Sequence, residues 1–343
     1  MSKYQEAKAV IRTYFDALEK ASPEDVLNVL KEYTSEDYRW RGVYPFREQH
    51  GVEAVAENFW APLKRSLRHM QRRPDIFIGG DNEIQPANGE GGGIWVMCMG
   101  NFMGLFDEDW LHIPKTRRIA TLRFAEFNRV ENGKITETGI FVDVMSLMVQ
   151  AGVYPLPPST GVFFNYPGPR THDGLLYEDA PPQEGVDTLN LVNRMINDLS
   201  LANDSGSMTF PPDILRQTWR EDMIWYGPAG IGASMSVDRY QEQHQLPFRE
   251  NLDGKKFNGH VCRFAEGDFA CFFGWPNLTN QPIGNFLGLT ASGQSADMQV
   301  VDVYRREGDK LAENWIFIDL IWWLKQQGLD VLERNRYLRF GRK

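Results

Sequence analysis

Four features are scarce or missing in this chain of 343 residues, and each scarcity excludes a class of site or partner. The three cysteines, Cys98, Cys262 and Cys271, show neither metal-ligand spacing nor an even-numbered disulfide framework, so we expect buried free thiols. The six histidines never approach the spacing of metal ligands. We therefore expect no metal site.

Basic runs and long apolar runs are also missing. The formal charge of −9 and the pI of about 5.3 argue against nucleic acid or an anionic membrane surface as a partner. No stretch approaches the length of about 18 apolar residues that a membrane-spanning helix needs. We expect a soluble, cytoplasmic protein. The locally basic residues 336–343 are interpreted as a solvated tail.

An internal repeat organises what is present. Residues 310–328 have the pattern of a strand that leads into a helix, with Asp319 at the junction. Residues 134–152 repeat this pattern with Asp143 at the junction, and six residues are identical at an offset of 176 positions. A repeat of this kind predicts two copies of one structural unit.

The rest of each copy follows the same order. Residues 221–227 match 36–42 at an offset of 185, and residues 285–288 match 101–104 at an offset of 184. Helices followed by antiparallel strands predict an α+β fold. We expect two cone-shaped α+β barrels in tandem, each a curved antiparallel sheet packed on helices. The predicted divisions are domain 1 at 1–153, a Pro/Gly-rich linker at 154–185, domain 2 at 186–335 and the tail at 336–343.

Residues 302–319, with the trailing Leu324, Gln327 and Gly328, resemble the SnoaL-like polyketide cyclases of the nuclear-transport-factor-two-like superfamily. Residues 288–294 are similar to a turn in that family. The resemblance implies a cofactor-free aldol closure in which an aspartate at this strand end is the general acid/base. That role would fall to Asp319, and less securely to Asp143. The superfamily also contains isomerases, dehydratases, epoxide hydrolases and non-enzymes, so the fold alone does not fix the reaction.

Other candidate site residues surround these two acids. His260 begins a predicted strand and could donate a hydrogen bond to a substrate carbonyl. The predicted substrate-binding side chains are Tyr226, Trp225, Trp275 and Trp315 in the second copy, and Trp40, Tyr44 and Arg41 in the first. Each has an alternative role: Asp319 as a helix cap, His260 and the aromatic residues as core, and Arg41 as a surface ion pair.

We therefore predict a cyclase, isomerase or hydrolase that acts on a small hydrophobic carbonyl compound by aspartate acid/base chemistry. A non-catalytic small-ligand-binding protein and an assembly module of the same fold are the alternatives. By analogy with single-domain relatives, the two copies are expected to form an internal pseudo-dimer, with a homodimer as a further option.

Overall fold

A computed structural model describes residues 2–85, 92–204 and 212–341. The chain divides into two compact units. Unit 1 consists of Met1–Pro155, Arg170–Asp179 and Asp330–Lys343, and unit 2 of Leu156–Pro169 and Ala180–Leu329.

Unit 1 is built from helices gathered on one antiparallel sheet. Its helices are α1 (Lys3–Lys20), α2 (Val26–Tyr33), α3 (Val52–Val55), a π-helical turn (Ala56–Trp60), α4 (Ala61–Ser66) and α5 (Val144–Gln150). Its strands are β1 (Thr34–Gly42), β2 (Arg47–His50), β3 (Leu67–Asp81), β4 (Ile94–Phe106), β5 (Ile119–Glu131) and β6 (Lys134–Val142).

The strand order of unit 1 is β2-β1-β6-β5-β4-β3, and all neighbours are antiparallel except β1 and β6. The turn between β5 and β6 holds Asn132 at φ 50° and Gly133 at φ 74°, which are the left-handed conformations of a tight hairpin turn. The Asn-Gly pair therefore predicts this hairpin correctly.

Unit 2 repeats the arrangement. Its helices are α6 (Pro182–Asp204), α7 (Pro212–Thr218), α8 (Val237–Tyr240), a second π-helical turn (Gln241–Gln245), α9 (Leu246–Asn251), a 3-10 turn (Phe286–Gly288) and α10 (Leu320–Gln326). Its strands are β7 (Trp219–Tyr226), β8 (Ala233–Met235), β9 (Leu252–Phe257), β10 (Cys262–Glu266), β11 (Phe269–Pro282), β12 (Ala296–Glu307) and β13 (Lys310–Ile318).

The sheet of unit 2 has the order β10-β11-β12-β13-β7-β8, and β9 also pairs with β11. Strands β13 and β7 are parallel, as β6 and β1 are in unit 1. The predicted α+β fold, with two curved sheets packed on helices, is confirmed. One local match was misleading: residues 285–288 match residues 101–104, which lie in strand β4, but they contain the 3-10 turn.

The segment 154–185, predicted as one linker, is divided between the units. In unit 2, Val162 bridges Ala233 and the ring of Tyr166 is buried. In unit 1, Leu175 bridges Phe77. The proline-rich chain cannot form a sheet of its own, but its aromatic and aliphatic side chains gain by covering apolar surface.

The predicted tail also differs. A final helix, α11 (Val331–Phe340), belongs to unit 1 and runs through most of 336–343. The side chain of Asp330 caps it by accepting a hydrogen bond from the backbone N–H of Glu333. Among the residues described, no helix combines the length and the apolar character needed to cross a membrane.

Candidate active site

The sheet of unit 2 has one side that faces helices, which we call the inner side. Trp225 of β7 stacks on His244 of the second π-helical turn at a ring distance of 4.0 Å. Asn314 is the register partner of Trp225, and Tyr304 lies opposite Asn314. Because paired residues of neighbouring strands share a face, these side chains all point inward.

A glycine follows each inward tryptophan two residues later. A β-carbon at Gly227 would lie 2.2 Å from the indole of Trp225, and one at Gly42 would lie 2.1 Å from the indole of Trp40. Each glycine therefore makes room for the ring. The spacing Trp-x-Gly, present in both copies, positions the indole at the same place in each unit.

Asp302 is the carboxylate on the inner side. It lies opposite Phe272 on β11 and Ile316 on β13, two positions before the inward Tyr304. The side-chain amide of Asn314 donates a hydrogen bond to its Oδ1 at 3.0 Å. No salt bridge reaches Asp302 from the residues that the structure describes.

Burial raises the pKa of Asp302 to about 7, although hydrogen bonds from Asn314 and Tyr304 act in the opposite direction. A carboxyl group with this pKa is populated in both protonation states near neutral pH. It can therefore accept and return a proton.

The inward strand residues of unit 2 are slightly more exposed than those of unit 1. The exposed fractions are 7% for Val300, 7% for Asp302 and 8% for Ile316. Their counterparts in unit 1, at the offset of 176, are Phe124, Glu126 and Ile140, and each is 0% exposed. Asp302 thus keeps a small exposed fraction, whereas the corresponding acid of unit 1 has none.

His260 stacks on the aromatic ring that pairs with this acid across the sheet. Its ring stacks on Phe272 at 3.9 Å, and Phe272 is the register partner of Asp302. Burial lowers the pKa of His260 to about 3, so the imidazole is neutral. Neither ring nitrogen has a hydrogen-bond partner in the part of the chain that the structure describes. The residue keeps its capacity to hydrogen-bond a ligand.

Asp319 occupies a different place. Its side chain accepts a hydrogen bond from the backbone N–H of Trp322 at 3.1 Å and so caps α10. Asp319 directly follows β13. By strand alternation it lies on the same side as Trp315 and Phe317, whereas Asn314 and Ile316 lie on the opposite side. The structure therefore does not bring Asp319 together with Asp302, and the catalytic role predicted for Asp319 rests on the family resemblance alone.

Two predicted pocket residues lie on the outer side of the same sheet. Trp315 stacks on Tyr226 at 5.4 Å, and its indole N–H donates to the backbone oxygen of Pro167 at 2.9 Å. Tyr166 contacts Tyr226 at 5.2 Å. The segment Leu156–Pro169 thus covers both rings. Trp275 is half-buried and precedes a cis Pro276, within the register irregularity between Gly274 and Leu278.

The residues predicted for unit 1 are also separated. Trp40 points inward and packs on Phe59 at 5.2 Å. Arg41 is next in the strand, points the other way, and forms ion pairs with Glu137 and Glu48. The hydroxyl of Tyr44 donates to Asp330 at 3.3 Å.

Asp143 repeats the position of Asp319. Its side chain caps α5 by accepting from the backbone N–H of Ser146 at 3.1 Å, and it lies 3.6 Å from a guanidinium nitrogen of Arg123. Both side chains of this ion pair are buried. The carboxylate of Asp143 thus interacts with both the N-terminus of α5 and the guanidinium of Arg123.

The interior of unit 1 holds a neutralised acid. A guanidinium nitrogen of Arg72 is 2.8 Å from Glu126, and both side chains are buried. The same guanidinium lies 3.6 Å from the centre of the Phe15 ring, so aromatic side chains enclose the pair. A cavity of about 360 Å³ opens beside α1 and β3, with Arg72 and Cys98 among its walls.

Asp302 is not among the site residues predicted from the sequence, although two signals point to it. The acid interrupts the apolar run from Val300 to Val303, and the repeat places Glu126 at the same position of the first copy. An acid at the same inward position of both copies indicates that its side chain lies inside the fold. Within the described residues, no three His, Cys, Asp or Glu side chains lie close enough to hold a metal ion.

Comparisons with known proteins point to unit 2. The family model of the SnoaL-like polyketide cyclases matches residues 202–327. No curated protein matches the chain.

Several solved structures are similar to less than half of the chain. An NTF2-like protein from Burkholderia xenovorans LB400 is 11% identical, with 42% of this chain and 97% of that chain covered and a TM-score of 0.33. AclR from Streptomyces galilaeus is 13% identical, with 46% and 87% covered and a TM-score of 0.36. IdmH from Streptomyces antibioticus is 16% identical, with 42% and 97% covered and a TM-score of 0.33. The match to the family model of the SnoaL-like polyketide cyclases, at residues 202–327, lies within unit 2.

Proposed function

We propose that unit 2 is a cofactor-independent enzyme of the cyclase or isomerase type, with Asp302 as its general acid/base and a small hydrophobic carbonyl compound as its substrate. The observation that carries the proposal is a carboxyl group on the inner side of the sheet that is 7% exposed, has no salt bridge in the described structure and has a pKa near 7. The family match over the same residues supports a cyclase-type reaction.

The proposed step is a proton transfer at carbon. Ionised Asp302 takes a proton from the carbon next to a substrate carbonyl, and the electron pair of that C–H bond forms an enolate. In a cyclase, the enolate carbon then attacks a second carbonyl of the same molecule. Protonated Asp302 returns its proton to the resulting alkoxide, so the enzyme ends in its initial state.

His260 is proposed to act on the carbonyl oxygen. A neutral imidazole can donate an N–H hydrogen bond to the oxygen on which the enolate charge develops. The stacking on Phe272 places its ring beside the register partner of Asp302. Proton abstraction and oxygen stabilisation would then occur on the same side of the sheet.

An exchange experiment in D2O tests the role of Asp302 without knowledge of the natural substrate. The probe is 2-tetralone, a bicyclic ketone with a weakly acidic C–H bond, and 1H NMR follows its deuterium incorporation. The intact protein should accelerate exchange over buffer, and Asp302→Asn should lose roughly 10²–10⁴-fold of the acceleration, the usual range for a general base. Asp319→Asn should retain it, because an asparagine still caps a helix.

The double variant Arg72→Met/Glu126→Gln is the matched control, since it changes the corresponding acid of unit 1 without leaving a buried guanidinium unpaired. It should leave the exchange rate unchanged. Exchange at the buffer rate with the intact protein, or full exchange in Asp302→Asn, would contradict the proposal. Loss of exchange in Asp319→Asn with retained folding would instead support the role that the family resemblance implies.

A second function is proposed for unit 1. Its inward residues are fully buried and its acid is paired with Arg72, which favours a non-catalytic, structural role. NMR of the Asp302→Asn variant during the addition of 2-tetralone tests whether unit 1 binds the ligand. The resonances of unit 1 should not shift.

A further inference from the structure

The two π-helical turns occupy the same place in the repeat. They span Ala56–Trp60 and Gln241–Gln245, an offset of 185 residues. At the fourth position of the turn, unit 1 has Phe59 and unit 2 has His244. π-Helical turns are rare and frequently lie at functional sites, because they redirect a side chain from the regular helical path.

Aromatic rings surround this position in both units. His244 stacks on Trp225 at 4.0 Å with an interplanar angle of 22°, and lies 5.4 Å from the ring of Tyr240 and 5.8 Å from that of Phe248. In unit 1, Phe59 packs on Trp40 at 5.2 Å. An apolar ring satisfies this environment, so packing alone does not require a histidine.

The nitrogens of His244 are the unexplained feature. The residue is 8% exposed, and its buried Nδ1 has no hydrogen-bond partner among the residues described. Its counterpart Phe59 is 0% exposed. Leaving a buried polar atom unpaired costs on the order of 1–3 kcal/mol, which a bound ligand can recover by completing the hydrogen bond.

His244 lies on the same inner side of unit 2 as Asp302. Its ring lies against Trp225, whose register partner is Asn314, and Asn314 donates to Asp302. Strand β13 separates β7 from β12, so Trp225 and Asp302 lie roughly 10 Å apart across the sheet. A ligand that contacts both the imidazole and the carboxyl group must span a distance of this order.

We propose that His244 is a substrate-contacting residue of unit 2, whose imidazole hydrogen-bonds the oxygen of an aromatic or polycyclic carbonyl compound while its aromatic neighbours contact the carbon skeleton. This inference rests on the proposed function of unit 2. Burial lowers the pKa of His244 to about 3, so the ring is neutral and offers one N–H donor and one nitrogen acceptor.

The test compares two ligands and one variant. The ligands are 2-tetralone and tetralin, which has the same skeleton without the oxygen. The variant is His244→Phe, which installs the residue that unit 1 carries. We expect His244→Phe to keep the melting temperature or raise it, to bind tetralin as the unaltered protein does, and to bind 2-tetralone about tenfold more weakly, the effect of one lost hydrogen bond.

Nitrogen-15 NMR of the histidine rings provides the direct readout. Addition of 2-tetralone to the unaltered protein should shift a ring nitrogen of His244, and tetralin should shift it much less. Equal affinity of His244→Phe for 2-tetralone, or no shift of either ring nitrogen, would overturn the inference. If the nitrogen shifts but Asp302→Asn still exchanges deuterium, the proposed proton transfer fails and the contact of His244 stands.

Discussion

The two units share a strand order, a parallel pair of strands and a π-helical turn, but they differ in what fills the interior. In unit 1, Arg72 neutralises Glu126 and the inward residues are sealed. In unit 2, the corresponding Asp302 retains exposure and has no salt bridge in the described structure. Both copies therefore have an acid at the same position, but the residues around it determine whether the acid is neutralised by an ion pair or can exchange a proton.

The difference between the two acids arises from the edge strand of the sheet, which carries Arg72 in unit 1. Arg72 lies on β3, opposite Phe102. The equivalent strand of unit 2 is broken into β9 and β10, and the residue at the offset of 185 is Phe257, which is 52% exposed. The arginine that fills and neutralises unit 1 therefore has no counterpart, and His260 lies in the break.

The largest expected effect comes from breaking the ion pair of unit 1. Arg72→Met leaves Glu126 buried without its guanidinium, and removal of one partner of a buried pair typically costs about 3–5 kcal/mol. Urea denaturation of the full chain, followed by circular dichroism, measures this loss. The double variant Arg72→Met/Glu126→Gln should recover most of it, and a single variant as stable as the original protein would show that the pair does not stabilise unit 1.

The next effect is a pH dependence that belongs to unit 2. An ionised Asp302 is disfavoured in the folded state, because its pKa is about 7 there and about 4 when unfolded. Stability should fall as pH rises from about 4 to about 7, by about 1.4 kcal/mol per unit and about 4 kcal/mol in total. Tyr304 and Tyr240 stay neutral throughout, since burial raises the pKa of both above 10.

Asp302→Asn removes this titration. The variant should be more stable than the original protein at pH 8 and closest to it at pH 4. Urea midpoints at both values measure the difference, and the double variant Arg72→Met/Glu126→Gln serves as the control. Parallel pH profiles for the original protein and Asp302→Asn would contradict a raised pKa.

The smallest effects concern the two capping aspartates. Asp319→Ala removes the cap of α10 and should cost about 1 kcal/mol. Asp143→Ala also removes the buried ion pair with Arg123 and should cost about 3 kcal/mol. Thermal unfolding of both variants gives the comparison. Equal losses would show that Arg123 adds nothing to the cap in unit 1.

Much of the fold follows from the sequence. The offset of 176 identifies the two copies, and the Asn132-Gly133 turn identifies a hairpin, because both signals are local. The match of 285–288 to 101–104 is misleading because it too is local, and a short identity carries no information on strand register. In the pairing of the strands, Leu278, opposite Met298, takes the position that Phe102 has opposite Leu122.

The site was harder to predict. Alternation correctly groups Trp315 with Phe317 and Asp319, but it does not say which side of the strand meets the helices. That choice depends on contacts between distant residues, such as Trp225 with His244 and Trp315 with Pro167. Asp302 becomes a candidate only when those contacts are known.

The most direct test of the difference between the units is a carbon-13 NMR titration of the side-chain carboxyl groups from pH 4 to pH 9, with Asp302→Asn used to assign the signal of Asp302. We expect a midpoint near 7 for that signal. A midpoint at the ordinary aspartate value of about 4 would contradict it.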